Sequence, residues 1–175
     1  TMSCTSQTLA GLIRDCSASL GGISVVYIAN HGEIVGKPTI TTEKVSAITM
    51  ALGKYFNKYE FRANTANAVT TWNINNETGS KYTSTDLVLK FNRLETTKRA
   101  EIMALALADL AVIFKDANGK YWYMGYDEAV SMTTGTAQTG TAKADENGYN
   151  ITLHDEQLQL PYEVDSAVIA TILNS

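Results

Sequence analysis

Two Asn-Gly turns divide the last third of the sequence. Asp116-Ala117-Asn118-Gly119 separates the apolar run 110–114 from the aromatic run 120–125, and Asp145-Glu146-Asn147-Gly148 precedes the run 149–153. Asn-Gly accepts the positive φ that a tight hairpin requires. The spacing therefore predicts antiparallel hairpins, and a chain that contains them folds around β-sheets.

Alternating and β-branched runs extend this prediction toward the N-terminus. Residues 23–28 indicate a buried strand, and residues 54–62 alternate aromatic with charged side chains. Further strands are expected within 64–74 and 82–94, separated by a polar loop at 75–80. Residues 45–50 fit either a helix or a strand that enters a hairpin, and the alternation after Gly53 favours the strand.

Two segments have helical spacing. The alanine-rich run that follows Thr96 and Thr97, either of which could cap it, predicts a packed helix with a buried stripe. Residues 9–20 predict a short amphipathic helix that ends at Gly21-Gly22. The stripe of the alanine-rich helix consists of Ile102, Leu105, Ala106 and Leu110. The stripe of the N-terminal helix consists of Leu9, Leu12, Ile13, Cys16 and Leu20.

The pattern as a whole predicts a mainly β (α+β) fold. We expect a β-sandwich or partly closed barrel with one packed α-helix and a short N-terminal helix. Residues 1–175 contain no linker long enough to divide them, so a single domain is expected.

Composition narrows the functional classes. Hydrophobic residues make up 45% of the chain and charged residues 18%, which is enough apolar material for a core. No apolar run approaches the roughly 18 residues of a membrane helix, so no membrane partner is expected. Cys4, Cys16, His31 and His154 lack the close pairing of zinc ligands. A Cys4–Cys16 disulfide stays open, although two small apolar side chains that are buried or partly buried are favoured.

The sequence lacks catalytic motifs, so no enzyme, no cofactor and no metal are expected. No nucleophile elbow, phosphate-binding loop or zinc-protease motif is present. The carboxylate pairs Asp127-Glu128, Asp145-Glu146 and Asp155-Glu156 are adjacent in sequence, so in a strand the two members point to opposite faces. Solvated turns and strand ends explain them better than acid–base catalysis.

Charge is distributed unevenly along the chain. Residues 1–120 carry thirteen Lys and Arg against ten Asp and Glu, whereas residues 121–175 carry one Lys against eight, within a net charge of −4. Unlike faces suit head-to-tail rings, and an acidic surface repels DNA phosphates. Asp127, Glu128, Asp145 and Glu146 are therefore expected to line a passage through which DNA slides.

Two segments are candidates for subunit contacts. The threonine–glycine run 133–142 has no large apolar anchor, so alone it would be a flexible loop, and against a neighbour it could be a flat strand or an interface arm. The aromatic run 121–123 could pack in the core or an interface, or stack on a sugar. The candidate interface residues are Thr134, Thr136, Gln138, Thr139, Thr141, Tyr121, Trp122 and Tyr123.

An ordered series of motifs resembles virion structural proteins of tailed phages. It is most similar to tail-tube and related neck or tail-ring subunits of phages and prophages from Bacteroidales-type hosts. The motifs are Asp15-Cys16, Gly21-Gly22-Ile23, Val26-Tyr27-Ile28-Ala29, Lys98-Arg99-Ala100-Glu101, Asp109-Leu110-Ala111-Val112-Ile113, Asp116-Ala117-Asn118-Gly119-Lys120-Tyr121-Trp122, Gly125-Tyr126-Asp127, Thr136-Ala137-Gln138-Thr139-Gly140-Thr141-Ala142, Asn147-Gly148-Tyr149 and Leu160-Pro161-Tyr162.

The resemblance implies a tail-tube-like fold in a non-enzymatic subunit. It implies stacked hexameric rings around a DNA conduit, with no cofactor and no catalytic residue. The implied partners are further copies of the chain, other tail or neck proteins, and DNA that passes without specific binding. The implied location is the virion, after synthesis in the host cytoplasm. The alternatives are a head–tail connector or neck ring protein and a small carbohydrate-binding β-sandwich.

Overall fold

A computed structural model describes residues 9–174 of the protein. Strands dominate it, and two α-helices accompany them. The strands are β1 (Ile23–Asn30), β2 (Thr39–Thr41), β3 (Lys44–Ala47), β4 (Asn57–Glu60), β5 (Ala66–Asn75), β6 (Ser80–Asn92), β7 (Leu110–Asp116), β8 (Tyr121–Met124), β9 (Ser131–Gln138), β10 (Gly148–Gln157) and β11 (Tyr162–Val164), and the helices are α1 (Thr96–Leu107) and α2 (Ser166–Ile172).

The strands form two sheets. The large sheet has the order β2-β3-β11-β8-β7-β1-β4, and the small sheet has the order β5-β6-β10-β9. The small sheet is antiparallel throughout, and in the large sheet only β11 and β3 are parallel. The mainly β, sandwich-like α+β prediction is therefore confirmed.

The main core lies between the two sheets. Because successive side chains of a strand point to opposite faces, Val26 and Ile28 of β1 face the small sheet. Leu87 and Leu89 of β6 meet them from the other side, and Leu105 of α1 closes the cluster. Burial of such side chains contributes roughly 1.5–3 kcal/mol each.

The opposite face of the large sheet is covered as well. Tyr27 and Ala29 of β1 alternate with the residues above and join Ile113 of β7 in a second core. Helix α2 packs on it through Val168, Ile169 and Ile172. Asp165 caps α2, because its carboxylate accepts a hydrogen bond from the Ala167 backbone N–H.

The predicted hairpin at 110–125 is formed by β7 and β8. Phe114 pairs with Trp122 across it, and Gly119 has a φ of +83° in the turn. The Asp116 carboxylate accepts hydrogen bonds from the backbone N–H groups of Asn118 and Lys120. Glycine and aspartate thus each satisfy one requirement of the turn.

The second Asn-Gly pair has a different role. Gly148 starts β10 at the end of a longer loop, 139–147, instead of completing a two-residue turn. A Cβ on Gly148 would lie 2.0 Å from the Phe91 carbonyl oxygen, so the close approach of β6 requires glycine there. Strand β3 covers only the first half of the segment 45–50, and the predicted polar loop at 75–80 joins β5 to β6.

The predicted N-terminal helix is wrong. Within the described part of this segment, residues 9–20 contain no helix, and Leu12 and Ile13 are fully exposed. Gly11 adopts a φ of +78°, which interrupts a right-handed helix. A short helix also needs a surface on which to pack, and none covers these side chains.

Three smaller details also differ from the sequence prediction. Helix α1 begins after Glu95, which makes no side-chain cap, so Thr96 and Thr97 are inside the helix. In its predicted stripe Ala106 is exposed, and Leu110 belongs to β7. Cys16 is exposed, so the expectation of a buried or partly buried thiol is wrong for it, and the alternative Cys4–Cys16 disulfide involves a residue outside the described range.

Candidate functional site

The threonine-rich segment forms an edge strand. Strand β9 pairs with β10 on one side, and within residues 9–174 no strand pairs with its other side. All of its residues except Met132 are exposed. Thr134, Thr136 and Gln138 lie opposite outward-facing positions of β10, and Thr139 and Thr141 follow in the exposed loop.

The other edge of the small sheet is open as well. Strand β5 pairs only with β6 in the described part of the chain. Directions alternate across this four-stranded antiparallel sheet, so β5 and β9 run in opposite directions. Both edges therefore present backbone N–H and C=O groups that another antiparallel strand could satisfy.

The aromatic run does not form a single surface. Tyr123 is 2% exposed and lies in the second core, away from any surface that a neighbour could contact. Tyr121 packs against Tyr27 with ring centroids 6.2 Å apart. Trp122 Nε1 donates to Asp116 Oδ2 at 3.0 Å, and its ring lines a groove of about 320 Å³.

Asp127 and Glu128 belong to a loop that is held to the end of β10. The Asp127 backbone N–H donates to Gln157 Oε1 at 2.6 Å, and Gln157 Nε2 donates to the Glu128 carbonyl at 2.9 Å. Asp127 Oδ1 pairs with Lys37 Nζ at 2.9 Å. This hydrogen bond and the carboxylate charge raise the pKa of Lys37.

Asp145 and Glu146 lie in the loop that precedes β10. Asp145 Oδ2 accepts hydrogen bonds from the backbone N–H groups of Ala142 and Thr141, and these bonds lower the pKa of Asp145. Glu146 Oε2 accepts from Gln138 Nε2 at 2.9 Å. The two acidic pairs are therefore at opposite ends of β10, about 30 Å apart at the usual rise of a strand. They do not form one acidic surface.

A histidine–carboxylate cluster occupies the outer face of the small sheet. His154 Nδ1 lies 2.6 Å from Asp86 Oδ1, and Nε2 lies 3.4 Å from Glu156 Oε1. The hydrogen bond with Asp86 is the largest cause of a raised His154 pKa. This cluster was not predicted from the sequence. The alternation of Ile151, Leu153 and Asp155 with the residues between them does indicate that His154 and Glu156 lie on the outward face of the strand.

Asp155 points inward from the same strand. It is 2% exposed, and its Oδ2 accepts from the Gly125 backbone N–H at 3.0 Å and from Gln157 Nε2 at 3.3 Å. Its Oδ1 is buried without a hydrogen-bond partner. Burial raises the pKa of Asp155.

The exposed large apolar side chains include those of two segments, a projecting hairpin and the N-terminal segment. The β5–β6 ladder continues past the last pair of β10, so residues 72–82 form a projecting hairpin. Trp72 and Ile74 on it are 52% and 58% exposed. Leu9, Leu12 and Ile13 of the N-terminal segment are at least 90% exposed.

Within residues 9–174, no group of three or more His, Cys, Asp or Glu residues could hold a metal ion. In that range no helix is long and apolar enough to span a membrane. Comparisons with protein-family models, curated proteins and solved structures found no match.

Proposed function

We propose that the chain is a non-enzymatic structural subunit whose small sheet pairs edge to edge with further copies in a ring. Stacked rings would form a phage tail tube that conducts DNA, with other tail or neck proteins as partners and the virion as the location. The observation that carries this proposal is the pair of open edges, β5 and β9, on one small sheet.

Strand direction makes the two edges complementary. Because β5 and β9 run oppositely, β9 of one copy can pair antiparallel with β5 of the next while both copies keep the same orientation. Such a contact is head-to-tail, and it closes into a ring if the rotation between neighbouring copies divides a full turn. The hexameric number follows from the sequence resemblance alone.

The composition of the small sheet supports an inward-facing polar surface in such a ring. Its inner face packs on the large sheet, so its outer face remains for the axis. Asp86 and Glu156 on that face would repel DNA phosphates, and few lysines are present to hold DNA. Asp127, Glu128, Asp145 and Glu146 would then lie toward the two rims of this passage.

The exposed apolar segments support further contacts between copies. Trp72 and Ile74 of the projecting hairpin and the leucines of the N-terminal segment would lose their water contact in an assembly. The polar loop predicted at 75–80 is the tip of the same hairpin. Tyr123 is buried and Trp122 is partly buried and hydrogen-bonded to Asp116, which disfavours an exposed platform of three aromatic rings for a sugar.

Electron microscopy of the purified protein tests the proposal. Elongated tubes are expected for a tube subunit. Discrete rings that do not stack would instead support the neck or connector alternative. A monomer that persists at high concentration in sedimentation experiments would contradict both assemblies.

Proline substitutions test the sheet edge itself. Neighbouring N–H groups of a strand point to opposite sides in the plane of the sheet, so only one of Thr136→Pro and Ala137→Pro removes an outward donor. We expect that variant to keep the thermal unfolding midpoint of the parent and to fail to assemble. The other variant loses a ladder bond to β10 and should be less stable. Normal assembly of the variant that retains its stability would refute edge pairing.

A further inference from the structure

One corner of the small sheet carries free positive charge. Arg62 and Lys90 line a surface pocket together with Phe61 and Phe91, whose ring centroids are 5.1 Å apart. Glu60 and Lys98 line the same pocket. Within residues 9–174 neither Arg62 nor Lys90 forms an ion pair. The nearby Glu60 pairs with Lys58, and Glu95 pairs with Lys98. We refer to Arg62 and Lys90, together with the two phenylalanines, as the basic corner.

The opposite corner carries free negative charge. Asp145 and Glu146 accept hydrogen bonds, but in the described part of the chain neither pairs with a cation. The loop 139–147 also contains Lys143, so the net charge of this loop is −1. Gln138 holds the Glu146 carboxylate beside the end of β9. We refer to Asp145 and Glu146 as the acidic corner.

The two corners lie at the same end of the sheet on its two open edges. Strand β5 begins at Ala66, which pairs with Leu89 next to Lys90. Strand β9 ends at Gln138, which pairs with Gly148, and Gly148 pairs with Asn92 of β6. Three strand spacings, about 14 Å, separate the two edges.

We infer that the acidic corner of one copy docks against the basic corner of the next copy in the ring. This inference rests on the proposed edge pairing, which would bring the end of β9 beside the start of the neighbour's β5 without changing the orientation of either copy. Each corner then supplies the counter-ion that the other lacks. Unlike charges at such a rim direct encounter and fix the register of the two strands.

The partner is a second copy because the required acidic group is already at the matching position of the same chain. The basic corner could otherwise receive a nucleic-acid phosphate, which makes a different prediction. Its charges would then be needed for DNA binding and not for assembly.

Charge reversal on each side tests the contact. The variants are Arg62→Glu with Lys90→Glu, which makes both corners acidic, and Glu146→Lys, which makes both corners basic. Asp145 is left unchanged because its carboxylate holds the backbone of its own loop. We expect each variant to raise the protein concentration at half-assembly about tenfold in sedimentation velocity at low salt.

The combined chain with all three substitutions restores opposite charges and should assemble at nearly the parent concentration. An equimolar mixture of the two single-side variants should also assemble, with the variants alternating. Circular dichroism melting checks that each variant is folded. These rescues separate a direct contact from a general effect of charge or stability.

Other outcomes would overturn the inference in distinguishable ways. If the parent protein fails to assemble, the proposed function itself fails. If the parent assembles and both single-side variants assemble equally well, edge pairing stands and the corner contact is wrong. Loss of binding to a single-stranded DNA oligonucleotide in Arg62→Glu/Lys90→Glu, with parent-like assembly, would assign the corner to phosphates instead.

Discussion

The two sheets of the sandwich differ in how completely the chain itself covers them. In the large sheet, β7 is buried on both faces, so Leu110–Phe114 is a continuous apolar run. In the small sheet, β6 and β10 alternate buried with accessible residues because only the inner face is covered. Both faces of the large sheet are therefore covered within the chain, and its edge strands β2 and β4 have only three and four residues. The small sheet retains a polar face and two longer open edges, β5 with ten residues and β9 with eight.

Truncation of an isoleucine in each sheet gives the largest expected contrast. Ile113→Ala removes a fully buried side chain from the second core and should lower the free energy of unfolding by about 2–5 kcal/mol. Ile74→Ala is the matched control on the projecting hairpin, where 58% of the residue is exposed. It should cost less than about 0.5 kcal/mol in the monomer. Urea denaturation measures both, and equal losses would show that the two sheets do not differ as described.

Sequence patterns predicted the strands β1, β7 and β8 and the turn between β7 and β8 well, because local chemistry determines them. The run from Leu110 to Phe114 and the turn at Asn118-Gly119 each combine burial or backbone requirements within a few residues. The N-terminal helix failed for the opposite reason. The spacing of Leu9, Leu12 and Ile13 suits a helix, but helix formation depends on a packing surface that the sequence does not reveal.

The candidate site was less accessible to prediction because it depends on strand order. The sequence marked the segment 133–142 as a possible flat strand, but not its position at the edge of a four-stranded sheet. It grouped Asp127 with Asp145 by charge, although β10 separates them. The pairing of His154 with Asp86 links residues 68 positions apart, and only the register of β10 on β6 brings them together.

Asp155 offers a second way to test the difference between the sheets, because it is a charged residue on the buried face of the small one. Its raised pKa means that the folded protein holds the proton more tightly than the unfolded chain. The stabilisation from Asp155 is therefore complete below the unfolded pKa and is lost as pH rises through the folded value. Asp155→Asn should consequently stabilise the protein at pH 7–8 by about 1 kcal/mol, because a neutral amide replaces a buried carboxylate with one unpartnered oxygen.

Thermal unfolding at several pH values measures this effect. The advantage of Asp155→Asn should shrink as the pH falls through the raised pKa of Asp155, because the carboxyl group of the parent then becomes protonated. Glu128→Gln is the control, since that exposed carboxyl group neighbours the same Gln157 contact without being buried. A variant less stable than the parent at every pH would mean that the charged form of Asp155 is needed to hold Gly125 and Gln157.

The smallest expected effect concerns the outer face of the small sheet. Asp86→Asn removes the carboxylate that raises the pKa of His154, whose protonated form then loses its main stabilising partner. Because the folded pKa is raised, this stabilisation is present below the unfolded value and is lost as pH rises through the folded value. The cost should be under about 1 kcal/mol at pH 5.5, since Asp86 is largely exposed, and smaller at pH 8.5.

Urea denaturation at both pH values measures this cost. An NMR titration follows the His154 pKa directly, which is feasible because His31 is the only other histidine. Glu156→Gln, which loses the longer 3.4 Å contact, should shift that pKa less, and an unchanged His154 pKa in Asp86→Asn would show that the outer-face cluster does not hold together in solution.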